Sequence, residues 1–513
     1  MTDKELNYKE ILNDYRDEVA AALRELVSFQ SVLAEPLDGR PFGEEINKVY
    51  RHMLSKAESD GFETFDADGY GGHIEWTGVV TDDRGNIIAA ADETLGIPVH
   101  LDVVPAGDDW TYDPWGGELD DGRIYGRGTL DNKGSAAAVY YAMKALKDSG
   151  YVPSKNIRMI LGLDEESGWS GMEKYFEKAD PPDFGFAPDG NFPVVNGEKG
   201  FLVFDLAKKL EQGQGESGLC LRSVRGGNAP NMVPDHCRAI LVYENETDIK
   251  DIKTKKGLNK TKTATKDIDA REKIFAFVKE AVGQFRDRTG EKISCKGAGN
   301  ALEVSTFGIS AHGAVPYKGV NAISIMMDFL SGLPLANESA RGFVDFYYTA
   351  IGKETDGKSL GIAMRDEPSG SLVVNVGMID LKREAVILTV NIRHPVTYKE
   401  DDVYDALRPI LDANGLGVVK QTGMAPLYFA PDDPFVELLM DVYRENTGDT
   451  ETGPIVFGGG TYARSIPRAL AFGPVFPGDE EVMHKKDEYI SLDSLMTAAQ
   501  IYADAILRLT QSE

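Results

Sequence analysis

The chain has 513 residues, 42% of them hydrophobic, so it is long enough to bury a large core and to divide into two or more domains. Its 55 Lys and Arg residues face 83 Asp and Glu residues, and the resulting net charge of -28 repels phosphate backbones and anionic lipid surfaces. We therefore expect neither a nucleic-acid partner nor a membrane partner. The acidity itself indicates solubility rather than a particular chemistry.

The cysteines and the first residues bear on the cellular compartment. Cys220, Cys237 and Cys295 are too few and too scattered for a disulfide framework or a Cys-rich zinc site. The first residues are charged throughout and lack the apolar stretch of a signal peptide, and no later segment approaches the roughly 20 apolar residues of a membrane span. The expected location is the cytoplasm.

Apolar spacing predicts a helix at the start of the chain and a strand–helix–strand unit after it. The apolar residues between about Asn7 and Phe29 recur every three or four positions, which is typical of a helix with one buried face. Ile97–Val104 and Asn156–Leu163 are rich in β-formers, and the Ala-rich Gly134–Lys147 between them favours a helix. This alternation predicts an α/β layer with a largely parallel sheet, whose strand C-termini are the usual place for a site.

Two later segments complete the organisation of the chain. A Lys/Thr-rich tract between about Lys250 and Lys266 lacks aromatic residues for stacking nucleic acid, so we interpret it as a solvated surface loop or insertion. The chain closes with a predicted helix that Asp493 or Ser494 can cap.

Carboxylates and histidines at the predicted strand ends are candidates for chemistry. Strand alternation sends His100 and Asp102 to the same face, where the carboxylate can hold the ring of a metal-binding imidazole. Asp131 follows a Gly-rich turn, and it can either project into a cleft or cap the next helix. Each of these signals is weak when taken alone.

The segment LGLDEESG is the more specific signal. A buried strand runs into the adjacent carboxylates Asp164, Glu165 and Glu166, and adjacent like charges are costly unless a cation or water relieves them. Metal coordination by one glutamate and general-base catalysis by its neighbour is a natural division of roles. Asp189 in FAPDGNFP and His484 in VMHKKDE supply further candidate ligands.

Six motifs occur in one order along nearly the whole chain: VHLDVVP, YGRGTLDNKG, LGLDEESG, FAPDGNFP, ISAHGAVP and VMHKKDE. Together they resemble the M20 family of metallopeptidases, which also includes aminoacylases, carboxypeptidases and desuccinylases. GGNAPNMVPD, NIRHP, GGGTYAR and the overall length make the chain most similar to the PepV-type bacterial dipeptidases. The resemblance implies a zinc-peptidase-like catalytic α/β domain, formed by residues 1–200 and 428–513, and an inserted α+β lid domain of residues 201–427.

The resemblance also implies a set of metal ligands. His100 and Asp189 would bind one ion, Glu166 and His484 the other, and Asp131 would bridge the two. Asp102 would orient His100, Glu165 would be the general base, and the peptide bond after Asp131 would be cis. This set of nitrogen and oxygen ligands suits zinc and also admits manganese or cobalt, so the sequence leaves the metal open.

The resemblance places further site residues in the lid. His312 would stabilise the oxyanion, and Arg393 and Asn231 would hold the C-terminal carboxylate of the substrate, for which the bidentate fork of arginine is suited. The loop GGGTYAR contributes Gly459, Gly460 and Thr461, which we interpret as a substrate-lining segment. A phosphate cradle is the alternative, but the Lys-Ser/Thr of a P-loop is missing.

The expected function is hydrolysis of dipeptides with a free N-terminus, with two divalent metal ions as cofactors. One alternative is another M20-type amidohydrolase, such as an N-acyl amino acid deacylase or a desuccinylase. The other is a noncatalytic binding protein of the same fold, which the presence of every proposed ligand and of Glu165 disfavours. The long lid segment favours a monomer, and a dimer stays possible.

Overall fold

The computed structural model describes residues 6–82, 84, 86–211, 217–244 and 263–511, and the chain divides into two compact units. Unit 1 consists of Met1–Gly197, Leu427–Val456 and Gly460–Glu513, and unit 2 of Glu198–Pro426 and Phe457–Gly459. Both units combine helices with a sheet, so the predicted α/β class is confirmed.

The first stretch of unit 1 contains five helices within the described residues: α1 (Tyr8–Asp14), α2 (Arg16–Ser28), α3 (Glu44–Ser59), α4 (Lys133–Asp148) and α5 (Ser170–Phe176). Its strands are β1 (Glu63–Asp66), β2 (Gly72–Trp76), β3 (Val79–Thr81), β4 (Ile87–Ala90), β5 (Thr94–His100), β6 (Glu118–Asp120), β7 (Arg123–Tyr125), β8 (Asn156–Gly162), β9 (Phe184–Ala187), β10 (Gly190–Asn191) and β11 (Val195–Glu198).

Unit 2 follows with strands β12 (Gly200–Lys209), β13 (Gly218–Gly226), β14 (His236–Glu244), β15 (Lys292–Ala298), β16 (Ala301–Phe307), β17 (Arg365–Asp366), β18 (Gly370–Ser371), β19 (Val373–Leu381), β20 (Ala385–His394) and β21 (Gly417–Met424). Its α-helices are α6 (Thr263–Thr289), α7 (Ala322–Ser331), α8 (Glu338–Phe346) and α9 (Glu400–Ala413).

The chain then returns to unit 1. Its remaining strands are β22 (Leu427–Tyr428), β23 (Ile455–Phe457), β24 (Ala469–Ala471), β25 (Pro474–Val475) and β26 (Tyr489–Ser491), and its remaining α-helices are α10 (Pro434–Thr447) and α11 (Leu492–Thr510). A short 3-10 helix, Tyr462–Ser465, precedes β24.

The main sheet of unit 1 has the strand order β1-β2-β8-β5-β9-β24-β11-β22, with β23 beside β11. The pairs β8/β5, β5/β9 and β9/β24 are parallel, whereas β1/β2, β2/β8 and β11/β24 are antiparallel. The centre of the sheet is therefore parallel, as predicted, and its margins are not. A smaller sheet, β26-β7-β6, joins the end of the chain to the segment before α4.

Apolar side chains cover both faces of this sheet. Met159 and Leu161 of β8 belong to a large core that includes α4 and α11, while Ile160 between them belongs to a second cluster around Tyr462. Because successive strand residues point to opposite faces, the sheet is buried between two layers. This burial fixes the strand ends that carry the candidate site.

Unit 2 is built on an antiparallel sheet with the order β15-β16-β14-β13-β19-β20-β12-β21. Its core joins apolar residues of the sheet to residues of α6, α7, α8 and α9. Helices packed on an antiparallel sheet make an α+β arrangement, the class that the resemblance implied for the lid.

Three sequence-based boundaries differ from the structure. The opening helix is interrupted at Tyr15, which ends α1 with ψ near 0° and donates its hydroxyl to Asp148. Strand β5 ends at His100, so Asp102 lies beyond the strand alternation that we used to place it. The cap of α11 is Ser491, whose side chain accepts a hydrogen bond from the amide of Ser494 and starts the helix earlier than expected.

The Lys/Thr-rich tract lies outside the described residues up to residue 262, and its last residues begin α6 instead of forming a loop. In the described part of the chain, no helix combines the length and the apolar composition that a membrane crossing requires.

We predict that Gly162→Ala destabilises unit 1. Gly162 ends β8 beside the buried ring of Tyr462, and a Cβ at this position would overlap Cε2 of that ring. Overpacking of this kind typically costs about 1–3 kcal/mol, to be measured as the free energy of unfolding in urea. Gly168→Ala is the matched control, since a Cβ there meets nothing within 4 Å. Equal stability of the two variants would contradict the packing argument.

Candidate metal centre

The candidate site lies at the C-terminal edge of three parallel strands in unit 1. His100 is the last residue of β5 and is buried, with 1% of its side chain exposed. Strand β5 lies between β8 and β9, so the segments that follow the three strands meet at one edge. These segments include the carboxylates of Asp102, Asp164, Glu165, Glu166 and Asp189.

Asp131 reaches the same edge from the loop between β7 and α4. The N-cap of α4 is Asn132, so the helix-capping role that the sequence left open does not fall to Asp131. The peptide bond between the two residues is cis, as the resemblance implied. The Asn132 side-chain amide donates to the carbonyl of Pro188 at 2.7 Å and to Oδ1 of Asp189 at 3.2 Å, which ties this loop to the end of β9.

The two oxygens of Asp131 face two different imidazoles. Oδ1 lies 3.0 Å from Nε2 of His100, and Oδ2 lies 2.9 Å from Nε2 of His484. His484 Nε2 is also 2.9 Å from Oε1 of Glu166, and His100 Nε2 is 3.8 Å from Oδ1 of Asp189. The structure thus brings together two groups of side chains that share Asp131.

Asp102 holds both His100 and the turn after β8. Its backbone carbonyl lies 3.0 Å from Nδ1 of His100, and its Oδ1 lies 3.5 Å from the same nitrogen. The carboxylate also accepts the backbone amides of Glu165 at 3.2 Å and Glu166 at 3.1 Å. A proton held on Nδ1 leaves Nε2 of His100 as a lone-pair donor, as a metal ligand requires.

The donor atoms fit divalent metal ions. Within the described residues, one ligand atom from each of His100, Asp131 and Glu166 lies within 4.8 Å of the others, and the same holds for His100, Glu165 and Asp189. Imidazole nitrogen with carboxylate oxygen suits zinc and also admits manganese or cobalt. The second group contains Glu165, so distance alone admits this residue as a ligand as well as a base.

The electrostatics of the metal-free centre favour bound protons. Burial raises the pKa of Glu165 well above its usual range, and the charge of Asp189 adds to this effect. Burial also raises the pKa of Glu166 to about 7. At His484, burial opposes the charged form, but the carboxylates of Asp131 and Glu166 outweigh it and raise the pKa to about 11. A divalent cation can replace these protons.

The predicted lid residues lie in unit 2, where three of them are linked through the backbone and the sheet. Met232, next to Asn231, forms an isolated antiparallel bridge with His312, and the amide of Gly313 donates to the carbonyl of Asn231 at 2.6 Å. Arg393 is on β20, where its Nε donates to Oδ1 of Asn391 at 3.2 Å.

Asn375, which the sequence analysis missed, connects these two places. It is buried on β19 directly opposite Asn391, and its side-chain amide donates to the carbonyls of Pro230 at 3.0 Å and Met232 at 2.9 Å. The segment that carries Asn231 and the strand that carries Arg393 are therefore held together. The signal in the sequence was an asparagine inside the apolar run LVVNVG.

The loop GGGTYAR is divided between the units, with Gly459 in unit 2 and Gly460 and Thr461 in unit 1. The Thr461 hydroxyl accepts the amide of Ala463 at 3.2 Å and so caps the following 3-10 helix. Tyr462 donates its hydroxyl to Asp164 at 3.4 Å. This loop thus has a structural task in unit 1 in addition to the substrate-lining role expected for it.

Comparisons with known proteins identify relatives along nearly the full length. A sequence model of the peptidase family M20/M25/M40 matches residues 96–508. A Bacillus subtilis (strain 168) protein named "Putative dipeptidase YtjP" is 34% identical over 499 residues, which cover 97% of this chain and 98% of that protein. "Putative dipeptidase SH1171" of Staphylococcus haemolyticus is 34% identical over 507 residues, covering 98% and 99%.

Solved structures extend the likeness to the fold. Aminoacylhistidine dipeptidase from Vibrio alginolyticus matches with a TM-score of 0.52 at 14% identity, covering 96% of this chain and 97% of that one. Human carnosine dipeptidase 1 matches with a TM-score of 0.51 at 16% identity, covering 98% of both chains. At these identities the similarity is evidence for the fold alone.

We predict that metal binding releases protons and strengthens as the pH rises. His100 and His484 have raised pKa values in the metal-free centre, so both are protonated near neutral pH and both must lose a proton to bind a cation. Loading the centre should therefore release about two protons near neutral pH, and more below pH 7, where Glu166 is also protonated. Calorimetry in buffers of different ionisation enthalpy measures this number. Binding that is independent of pH between 6 and 8 would contradict the assignment of these ligands.

Proposed function

Because this chain belongs to peptidase family M20/M25/M40, we propose that it is a two-metal dipeptidase that acts on dipeptides with a free N-terminus. The observation that carries the proposal is the position of the Asp131 carboxylate, with one oxygen 3.0 Å from His100 Nε2 and the other 2.9 Å from His484 Nε2. A carboxylate placed in this way can bridge two cations. The names of the relatives support the choice of dipeptides.

We assign the ligands by proximity to these two imidazoles. Asp189 lies on the His100 side and Glu166 on the His484 side, so each ion would receive one imidazole, one carboxylate of its own and one oxygen of Asp131. When bound, two such cations polarise a scissile carbonyl and lower the pKa of an attacking water. The donor set leaves zinc, manganese and cobalt as candidates.

We assign Glu165 as the general base. Its backbone is fixed by the carboxylate of Asp102, and its side chain is half-buried beside the ligands. In this role the carboxylate of Glu165 takes a proton from the attacking water and delivers it to the leaving amine.

The substrate groups are assigned to unit 2. Arg393 and Asn231 would bind the C-terminal carboxylate of the dipeptide, and His312 would stabilise the oxyanion, with Gly459, Gly460 and Thr461 lining the substrate. The contacts of Asn375 with both neighbours of Asn231, and the pairing of Asn375 with Asn391, support a joint role for Asn231 and Arg393. We propose that a single chain supplies all these groups and acts as a monomer.

Glu165→Ala should keep two bound metals and lose catalysis. A general base outside the ligand set contributes about 10²–10⁴-fold to turnover, so kcat should fall by that factor while the metal content stays unchanged. Metal analysis and steady-state kinetics on the same preparation measure both quantities. Glu166→Ala is the matched control, since loss of a ligand should remove metal along with activity. Loss of metal from Glu165→Ala would instead make Glu165 a ligand.

Substrate length and end groups test the dipeptidase assignment. After metal depletion and addition of Zn²⁺, Mn²⁺ or Co²⁺, the protein should hydrolyse free dipeptides faster than tripeptides or N-acyl dipeptides. If Arg393 and Asn231 form a clamp on the C-terminal carboxylate of the substrate, only one residue fits between this clamp and the scissile bond. Faster hydrolysis of the N-acyl compounds would favour the deacylase alternative.

Arg393→Met tests whether Arg393 binds the C-terminal carboxylate, provided that free and amidated dipeptides are compared on the same variant. Loss of a charge-assisted contact worth about 2–5 kcal/mol should lower kcat/KM for dipeptides at least about tenfold. Dipeptide amides, which lack the carboxylate, should respond little. Arg225→Met, which removes an exposed arginine of the same sheet, is the matched control. Equal losses for free and amidated dipeptides would rule out the clamp.

A further inference from the structure

Glu488 is a completely buried carboxylate outside the proposed ligand set, with 0% of its side chain exposed. Its Oε1 accepts three backbone amides, from Gly128 at 3.1 Å, Leu130 at 3.0 Å and Asp131 at 3.1 Å. Its Oε2 accepts Nη1 of Arg127 at 2.5 Å. A single side chain therefore binds the loop that ends at Asp131.

The backbone around Glu488 reinforces this attachment. Strand β26 pairs with β7, so that Tyr489 lies opposite Tyr125, and the amide of Gly126 donates to the carbonyl of Glu488 at 2.9 Å. Asp487 accepts the amide of Thr111 at 2.7 Å. The segment after His484 is thus anchored on the chain before Asp131, although the two parts are more than 350 residues apart in sequence.

The Arg127 guanidinium is buried with Glu488 and lies 5.2 Å from the ring centroid of Trp110. A buried charge is tolerated only when it is paired and hydrogen-bonded, and removal of one partner leaves the other uncompensated. The geometry therefore makes the carboxylate of Glu488 the common acceptor for a buried cation and for three amides of the loop.

We propose that Glu488 is a positioning residue of the metal centre, which acts by fixing the backbone of Asp131 and, through the same segment, His484. The inference rests on the proposed two-metal function. In the proposed centre Asp131 would present one oxygen to each ion, and its backbone amide donates to the carboxylate of Glu488. Release of this amide lets the carboxylate leave the position where its two oxygens serve both ions. Outer groups that orient ligands typically contribute 10- to 100-fold to metal affinity.

Glu488→Gln tests the proposal by metal affinity measured without substrate. Zn²⁺ titration by calorimetry should show binding weakened by about 10- to 100-fold, and excess Zn²⁺ should restore much of kcat with KM unchanged. The matched control is Glu75→Gln, which breaks another largely buried ion pair, the one between Glu75 and Arg158 at 2.5 Å. Arg158 lies near the start of β8, whereas the candidate site follows the end of that strand. This variant should lose stability but keep the Zn²⁺ affinity of the wild type.

Glu488→Asp separates positioning from charge and serves as the second variant if Glu488→Gln does not fold. It keeps the negative charge next to Arg127 but withdraws the oxygens from the three amides, so Zn²⁺ binding should still weaken by about tenfold. Wild-type affinity in this variant would overturn the proposal. If wild-type protein itself binds fewer than two Zn²⁺ ions or hydrolyses no dipeptide, the proposed function fails instead, so the two failures are distinguishable.

Discussion

The carboxylate of Asp131 is the group on which the geometry of the proposed metal centre depends, because each of its oxygens faces a different imidazole. A small rotation or shift of this carboxylate would move both of its oxygens away from the imidazoles that they face. Its loop is accordingly held from two sides, by Asn132 bound to Asp189 and by Glu488 bound to the amide of Asp131. Asp102 likewise fixes the ring of His100 and the backbone of the turn that carries Glu165 and Glu166.

Such a concentration of acidic groups at one sheet edge has an electrostatic cost. Carboxylates that are withdrawn from water repel one another, and their pKa values rise, as at Glu166 and Asp189, until protons or cations compensate the charge. The pKa of the His484 imidazole rises as well, because the carboxylates of Asp131 and Glu166 favour its protonated form more than burial opposes it. Divalent cations bound at this edge would compensate the same negative charge, so protons would compete with them.

The sequence predicted much of this arrangement because its signals are local. Strand ends followed by His100, or by Glu165 and Glu166, are visible in a few residues, and the order of the motifs carried the family resemblance. The helix break at Tyr15 and the early end of β5 depend on single backbone angles that apolar spacing does not encode.

Glu488 escaped notice for a different reason. Within KKDEY it has the appearance of a solvated charge, and its burial depends on contacts with Arg127 and with three backbone amides more than 350 positions away. Asn375 is similar, since its partners at Pro230 and Met232 belong to a distant loop. The residues that support the site are thus harder to predict than the residues that form it, because their roles are defined by tertiary contacts.

The interleaving of the two units has a consequence for the order of folding during synthesis. Unit 1 begins before the segment Glu198–Pro426 of unit 2 and is finished after it, with α11 packed on α4 and β26 paired with β7. On the ribosome, β7 and α4 emerge hundreds of residues before these partners. While unit 2 is being synthesised, β7 has no β26 to pair with, and the apolar side chains of α4 are not yet covered by α11. The folding of unit 1 should therefore depend more on chaperones and on complete synthesis than the folding of unit 2. The main sheet of unit 2 is contributed by one continuous stretch of chain.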